Sequence, residues 1–424
     1  MNIRFEIEEL GPIRNSVIDL NSFLLMCGDS QVGKSYVSFA VYYFFYIFKN
    51  PEIIKSTINE SFDLIKIEKD LKENKEIKLQ FDLSIIEEFY NKTVSRFIGN
   101  FVGDEDFRCK IKLTSLNNKN IEFRITQEKE NEYIVCNEIA EANFSSIDFD
   151  YFIKNRFYTG ILFLIESLLH ISFISFKKIF ILPPARGALM GLSFSTQKQL
   201  SNIGMYKEFI EDLEKILYPK FSPNIKDDEF LNELLVDLFG GEIKFRENNV
   251  YYKFKDSQIP ITASASSIKE LSPLFLILKN IELDNLSDLS ILIEEPEAHL
   301  HPMLQRKVAL LLSYLINQGG MLQITTHSDY FLNQINNVIK LHYLKQKSVE
   351  KFNEAINKLG INENCIFDPA KINAYYFKKN DDGFVSIEKL IIDEGGIPFT
   401  SFENIIDKMI QDTNYIDEML DEIG

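Results

Sequence analysis

Residues 28–35 read GDSQVGKS, two glycines five positions apart followed at once by a lysine and a hydroxyl. A loop that cradles phosphate needs this set. Its glycines let backbone N–H groups converge on the oxygens, its lysine reaches the outer phosphates, and its hydroxyl ligates Mg²⁺. Gly28, Asp29, Ser30, Gln31, Val32, Gly33, Lys34 and Ser35 are therefore the candidate nucleotide-binding residues. Such a loop works where a strand enters it and a helix leaves it, because the helix N-terminus adds its dipole to the anion site. The apolar FLLMC before it and YVSFAVYYFFYIF after it predict that order.

Two further stretches end apolar strands in groups able to act on a bound phosphate. ILIEEPEAHLHP (291–302) puts adjacent carboxylates at a strand end. One side chain then turns to the metal and the next stays near the outer phosphate, where hydrolysis needs a base or a water-orienting group. Glu294 is the expected metal-side residue, with Ser35, and Glu295 the catalytic one. In QITTHSD (323–329), His327 at the strand tip is the second catalytic candidate, able to donate to a phosphate oxygen or to position water. ITASASSIKEL (261–271) opens a helix with small hydroxyl residues, and Ser266 and Ser267 offer donors to an anion there; an ordinary N-cap accounts for the same pattern. His299 and His301, beside Glu297, are not read as a zinc site, since an i, i+2 pair shares no helix face and no cysteine cluster is near. ATP and Mg²⁺ are the expected cofactors.

Composition narrows the partners. With 46 basic and 63 acidic residues the net charge is −17, which argues against a general basic surface for nucleic acid and leaves room only for a local basic groove. The 45% apolar content of 424 residues supplies a core for one large or two to three ordinary domains. Cys27, Cys109, Cys136 and Cys365 lie far apart with no CxxC pair, so neither a zinc site nor a disulfide framework is suggested, and a reducing, cytoplasmic home fits. MNIRFEIEELGPIR carries acids where a signal peptide needs a basic start and an apolar run. As a helix, YVSFAVYYFFYIF (36–48) spans roughly 20 Å, short of the roughly 30 Å hydrocarbon core. TGILFLIESLLHISFISF (159–176) has Glu166 and His170 at its middle, where charge is costly in lipid. Both are predicted as buried helices, with no membrane partner.

The elements that must position these residues follow from periodicity. Residues 1–27 alternate as a hairpin around a GPI turn and then run apolar into the glycine loop. KIKLTSLNNKNIEFRITQEKENEYIVC (110–136) predicts hairpins with Asn turns, and KKIFILPPARG (177–187) a strand that rejoins the central sheet. YKEFIEDLEKILYP and DDEFLNELLVDLFGG, within 206–241, are amphipathic at helical spacing. The expected organisation is an α/β P-loop core from 1–50, 177–187 and 240–345, an α+β insertion at 51–176, a helical subdomain at 188–239, and a C-terminal α+β segment at 346–424 with an acidic tail.

The order GPI, glycine loop, Ser-rich helix start, EEPEAHLHP and TTHSD resembles the ABC-type ATPase heads of the SMC and RecF group, and more closely the stand-alone AAA-annotated ATPases related to the OLD family, many of them in anti-phage systems of the Septu and PARIS type. The resemblance is strong for 1–48 and 240–335. It implies an ABC-type head with a mixed central sheet, in which Gly28 to Ser35 are Walker A, Glu294 and Glu295 Walker B and catalytic base, 299–302 the D-loop and His327 the switch histidine. Residues 263–269 would be the signature helix, contacting the γ-phosphate bound by a second copy, so that ATP joins two heads into a homodimer or higher homo-oligomer. One departure is SASSIKE, with Ser266 and Ser267 where the family has a glycine beside serine. Arg186 in LPPARG matches a recurrent element of these ATPases, reaching nucleotide or partner, or serving as a plain strand-end arginine. The Toprim nuclease of OLD proteins is not expected, since EKLIIDEGG is too little to build one.

The function expected on this basis is an ATPase that assembles with ATP and regulates a separate effector, a nuclease or toxin, in phage defence. Two rival readings stand beside it. A DNA-repair or chromosome-handling ATPase predicts salt-sensitive duplex binding, and a non-hydrolysing scaffold predicts bound ATP without turnover.

Overall fold

The computed structural model describes residues 3–59, 62–114, 120–129, 132–138, 140–145, 157, 159–161, 164–165, 178–192, 204–217, 228–246, 249–280, 286–398 and 400–421. Alternating apolar and polar residues in β1 (Arg4–Leu10) and β2 (Ile13–Asp19) bury one face of an antiparallel hairpin. β3 (Phe23–Gly28) follows with all six residues buried and leads through the glycine loop into α1 (Lys34–Lys49). Next come α2 (Pro51–Asn59), α3 (Leu64–Asn74), β4 (Glu76–Asp82), α4 (Ser84–Val102), β5 (Cys109–Thr114), β6 (Asn120–Lys129), β7 (Glu132–Cys136) and β8 (Glu141–Ser145). β9 (Lys178–Leu182) precedes the short α5 (Arg186–Met190), then α6 (Gly204–Leu217), α7 (Glu229–Phe239), and a three-stranded sheet of β10 (Glu242–Arg246), β11 (Asn249–Phe254) and β12 (Ser257–Pro260). The chain continues through α8 (Ser266–Asn280), β13 (Leu289–Glu294), α9 (Pro302–Asn317), β14 (Met321–Thr326), α10 (Asp329–Lys347), α11 (Val349–Leu359), β15 (Ile372–Lys379), β16 (Val385–Leu390) and α12 (Thr400–Asp421).

Among the described residues nine strands make one mixed sheet in the order β5-β1-β2-β16-β15-β3-β14-β13-β9. From β15 to β9 the neighbours are parallel. β3, β13 and β14 are buried at every position, so both sheet faces are covered there, and that is why these strands read as continuous apolar runs rather than alternating ones. Parallel pairing also brings the carboxyl ends of β3, β14 and β13 side by side, with Cα partners Cys27 and Thr326, and Thr325 and Glu294. Ligands of open α/β sheets bind at that edge. An ion pair from Lys49 to Asp212 at 2.7 Å ties the far end of α1 to α6.

The strands β9, β13 and β14 lie where their sequences predict, as do the helices α6, α7 and α9. Two arrangements differ. β5 and β6, expected as one hairpin, lie in different sheets: β5 pairs with β1 at the edge of the large sheet, and β6 joins a four-stranded sheet, β4-β6-β7-β8. Burial of Ile111 and Leu113 beside Phe5 and Ile7 favours this pairing, because the registered partners Ile111–Ile7 and Leu113–Phe5 extend one apolar face. β15 and β16, from the expected C-terminal α+β segment, lie inside the sheet between β3 and β2. There Tyr375 Oη accepts from the Asp19 amide at 2.7 Å, and Cys27 Sγ donates to the Tyr375 carbonyl at 3.4 Å. The acidic tail contributes the helix α12, exposed from residue 408 to 421. Of the apolar segment 159–176, Ile161, Leu164 and Ile165 are buried, while Glu166 and His170 lie outside the described residues. Among the described residues no helix is long and apolar enough to cross a membrane.

Candidate nucleotide site

The loop between β3 and α1 depends on two glycines. Gly28 has φ 137°, and a Cβ there would meet the Phe377 carbonyl oxygen of β15 at 2.5 Å; Gly33 has φ 88° and caps α1. Lys34 begins the helix and folds back over the loop. Its Nζ donates to the carbonyls of Gly28 at 2.9 Å and Asp29 at 2.7 Å, and lies 3.4 Å from His327 Nδ1. Burial pulls its pKa down to about 8, against the opposing pull of Glu295. Ser35 Oγ donates to Glu294 Oε2 at 2.6 Å, joining positions 259 residues apart. Glu294 is 2% exposed, and its Oε1 has no hydrogen-bond partner among the described residues. Burial pushes this carboxyl up to about 7.

After β13 the chain turns sharply. Glu295 has φ 48° and His299 φ 57°, left-handed conformations that non-glycine residues hold at a cost of about 1–3 kcal/mol each. The Glu295 amide donates to the Thr325 carbonyl at 3.0 Å, and its carboxylate, 43% exposed, faces the cleft with Oε1 3.6 Å from His327 Nε2. Burial, and then the Lys34 charge, lower the pKa of His327. The ring therefore sits between two charged groups, with Nδ1 toward Lys34 and Nε2 toward Glu295. Glu297, weighed in the sequence only as a zinc ligand, has a different part. Its Oε1 accepts from Thr326 Oγ1 at 2.8 Å and from the His327 amide at 2.7 Å, so a third carboxylate of EEPE holds the histidine's main chain.

A cleft of about 500 Å³ opens above these groups, lined by Ser30 to Tyr36, Glu295, Thr325, His327 and Pro12. The structure brings Ser30, Gln31, Val32, Gly33, Lys34, Ser35, Glu295 and His327 to it, with Gly28 and Asp29 beneath through Lys34 and Glu294 behind through Ser35. It does not bring Ser266 or Ser267 there: Ser266 is exposed and Ser267 half-buried, at the start of α8 and away from the cleft lining. His301 caps α9, its Nδ1 accepting from the Met303 amide at 3.3 Å. Arg186 does not line the cleft; it is buried behind the strand ends and reaches the cleft-lining Glu295 only at its main-chain carbonyl. Sequence reasoning missed Glu297, which holds one side-chain hydroxyl and one main-chain amide, and the interior role of Arg186, whose hydrogen bonds all go to main-chain carbonyls.

The donor set suits Mg²⁺. Ser35 Oγ and Glu294 are hard oxygen ligands, Glu294 Oε1 is buried with no hydrogen-bond partner among the described residues, and Mg²⁺ takes one or two protein ligands with waters and phosphate completing its shell. Among the described residues no three His, Cys, Asp or Glu side chains group as a free-standing metal site.

Residues 187–332 match the family model of an AAA ATPase domain. The matched stretch holds Glu294, Glu295 and His327 and begins after the glycine loop. Solved structures similar to the chain include SMC heads. One is an SMC head bound to the C-terminal winged-helix domain of ScpA, 12% identical, covering 93% of this chain and 98% of that one, TM-score 0.39. Another is the SMC head domain of Thermotoga maritima, 10% identical over 92% and 100%, TM-score 0.34. A third, from Pyrococcus furiosus, is an SMC head with an extended coiled coil bound to the C-terminal domain of ScpA, 11% identical over 96% and 98%, TM-score 0.35. No curated protein matches. The α/β P-loop architecture is established by the strand–loop–helix around Gly28 to Ser35 and the parallel strand ends beside it.

One stability consequence follows from Glu294. A carboxyl held near 7 in the fold and near 4.5 when unfolded binds more protons when folded, so its contribution to stability is intact below about 4.5 and lost as pH rises through about 7. Glu294→Gln, which keeps an acceptor for Ser35, is expected to raise the unfolding free energy of the nucleotide-free protein at pH 8 by up to about 3 kcal/mol, and the unfolding midpoint with it. The gap should close by pH 5 in thermal melts; equal gaps at both pH values would contradict a buried, uncompensated charge.

Proposed function

We propose that the chain binds ATP with Mg²⁺ and hydrolyses it, assembling into a homodimer or larger homo-oligomer as it does so and regulating a separate effector, a nuclease or toxin, in prokaryotic anti-phage defence. The observation that carries the ATPase part is the Ser35–Glu294 hydrogen bond, which joins the glycine loop to the carboxylate pair across the sheet. Gly28 to Ser35 cradle the phosphates, and Lys34 exchanges carbonyl partners for phosphate oxygens. Ser35 and Glu294 hold Mg²⁺, which when bound neutralises charge on the outer phosphates. Glu295 orients the attacking water and takes its proton, and His327 donates to a γ-phosphate oxygen or positions that water.

Assembly and effector control rest on the resemblance and on two surfaces. Ser266 at the α8 start is exposed rather than turned to its own cleft, as a contact to a second copy requires. The helix α12 exposes Met409, Ile410, Tyr415, Ile416 and Leu420, an apolar face suited to a protein partner. Light-scattering mass of Glu295→Gln with and without MgATP tests assembly: growth on adding ATP supports it, and an unchanged monomer with nucleotide bound removes it. The serines at 266 and 267, in place of a glycine, favour one rival, a scaffold that keeps ATP unhydrolysed; ordinary single-turnover hydrolysis excludes that rival.

A further inference from the structure

Arg186 stands in the first turn of α5, after the Pro183–Pro184 break, and is 2% exposed although it is a cation. Its Nε donates to the Glu270 carbonyl at 3.1 Å. Nη1 donates to the carbonyls of Pro183 at 3.2 Å and Glu294 at 2.6 Å, and Nη2 to that of Glu295 at 3.1 Å. The counter-charge is the Glu270 carboxylate at 3.4 Å, itself 1% exposed on α8. Closeness here is demanding: a Cβ on Gly187 would meet Glu270 Oε1 at 2.6 Å.

A planar fork that grips the carbonyls of two successive residues defines the path of the peptide between them. That peptide leads into the left-handed turn at Glu295, whose carboxylate faces the cleft. We propose that Arg186 is a positioning residue, which holds the Glu294–Glu295 main chain in the conformation that aims the Glu295 carboxylate, and which through Glu270 ties this turn to α8. The inference rests on the hydrolytic reading above. Its consequence is a mechanical link: α8 begins at Ser266, about one turn before Glu270, so a displacement of that helix start is passed to Glu295 without any contact to nucleotide.

The test compares wild type, Arg186→Lys and Glu270→Gln. Lysine keeps the charge but has no planar fork for four carbonyls, and the glutamine keeps the shape of Glu270 while removing its charge. For Arg186→Lys, kcat per folded molecule is expected to fall on the order of 10- to 100-fold, with KM and the affinity for a non-hydrolysable ATP analogue within about threefold of wild type. Amide hydrogens of 295–300 should exchange faster in both variants while those of 29–35 do not. A merely structural arginine would lower the folded fraction and leave kcat per folded molecule unchanged, and that result overturns the proposal. Unaltered exchange at 295–300 in both variants overturns it as well. If wild type itself does not hydrolyse ATP, the hydrolytic reading fails, and the exchange measurement alone decides whether Arg186 and Glu270 hold the turn.

Discussion

Lys34→Ala is expected to weaken MgATP binding by about 100-fold, the loss of charge-assisted hydrogen bonds to phosphate worth roughly 3 kcal/mol in a partly desolvated site. Lys34 is 6% exposed, and its Nζ lies over the two carbonyls of its own loop, poised at the mouth of the cleft. Its pKa near 8 in the nucleotide-free protein strengthens the expectation, since an anion arriving beside a desolvated ammonium raises that pKa and is held more tightly in return. Calorimetric titration with a non-hydrolysable analogue measures the effect, and circular dichroism checks that the variant is folded. A dissociation constant within threefold of wild type would show that nucleotide does not contact Lys34, and the cleft would need another ligand.

Glu295→Gln is the second large effect, expected on the rate and not on binding. Glutamine is nearly the same shape, so the left-handed turn and the main-chain hydrogen bond to the Thr325 carbonyl survive, while the charge and the proton acceptor beside His327 are lost. General-base or water-orienting groups of this kind contribute on the order of 10²- to 10⁴-fold, so single-turnover hydrolysis should slow by about that factor with analogue affinity little changed. A rate near that of wild type would transfer the proton-accepting role away from Glu295. The Glu297 carboxylate is a poor heir, because Thr326 and the His327 amide already occupy its Oε1.

That most of the candidate residues meet at one cleft is legible because a phosphate-binding pattern is compact in sequence. Eight consecutive residues set the loop, and its flanks were apolar enough to be recognised as a buried strand and helix, as β3 and α1 are. ILIEE and QITTH were likewise legible as strand ends, since a strand buried on both faces leaves a continuous apolar run that stops where polar function begins. The misplaced pieces were antiparallel. Asn-rich turns around 117 suggested a β5–β6 hairpin, yet the matching apolar faces of β5 and β1 drew that strand to the large sheet. Local turn signals say where a chain reverses and not which edge it then meets.

From the sequence alone came the glycine loop, its lysine and hydroxyl, the carboxylate pair and the histidine, because those roles require particular side chains at short spacings. Tertiary structure decided what joins them. It set β15 against Gly28, Ser35 against Glu294, Glu297 beneath His327, and a buried arginine behind the left-handed turn at Glu295. The physical reason is that several of these links end on backbone amides and carbonyls, which every residue carries, so no residue type marks them until the chain has folded.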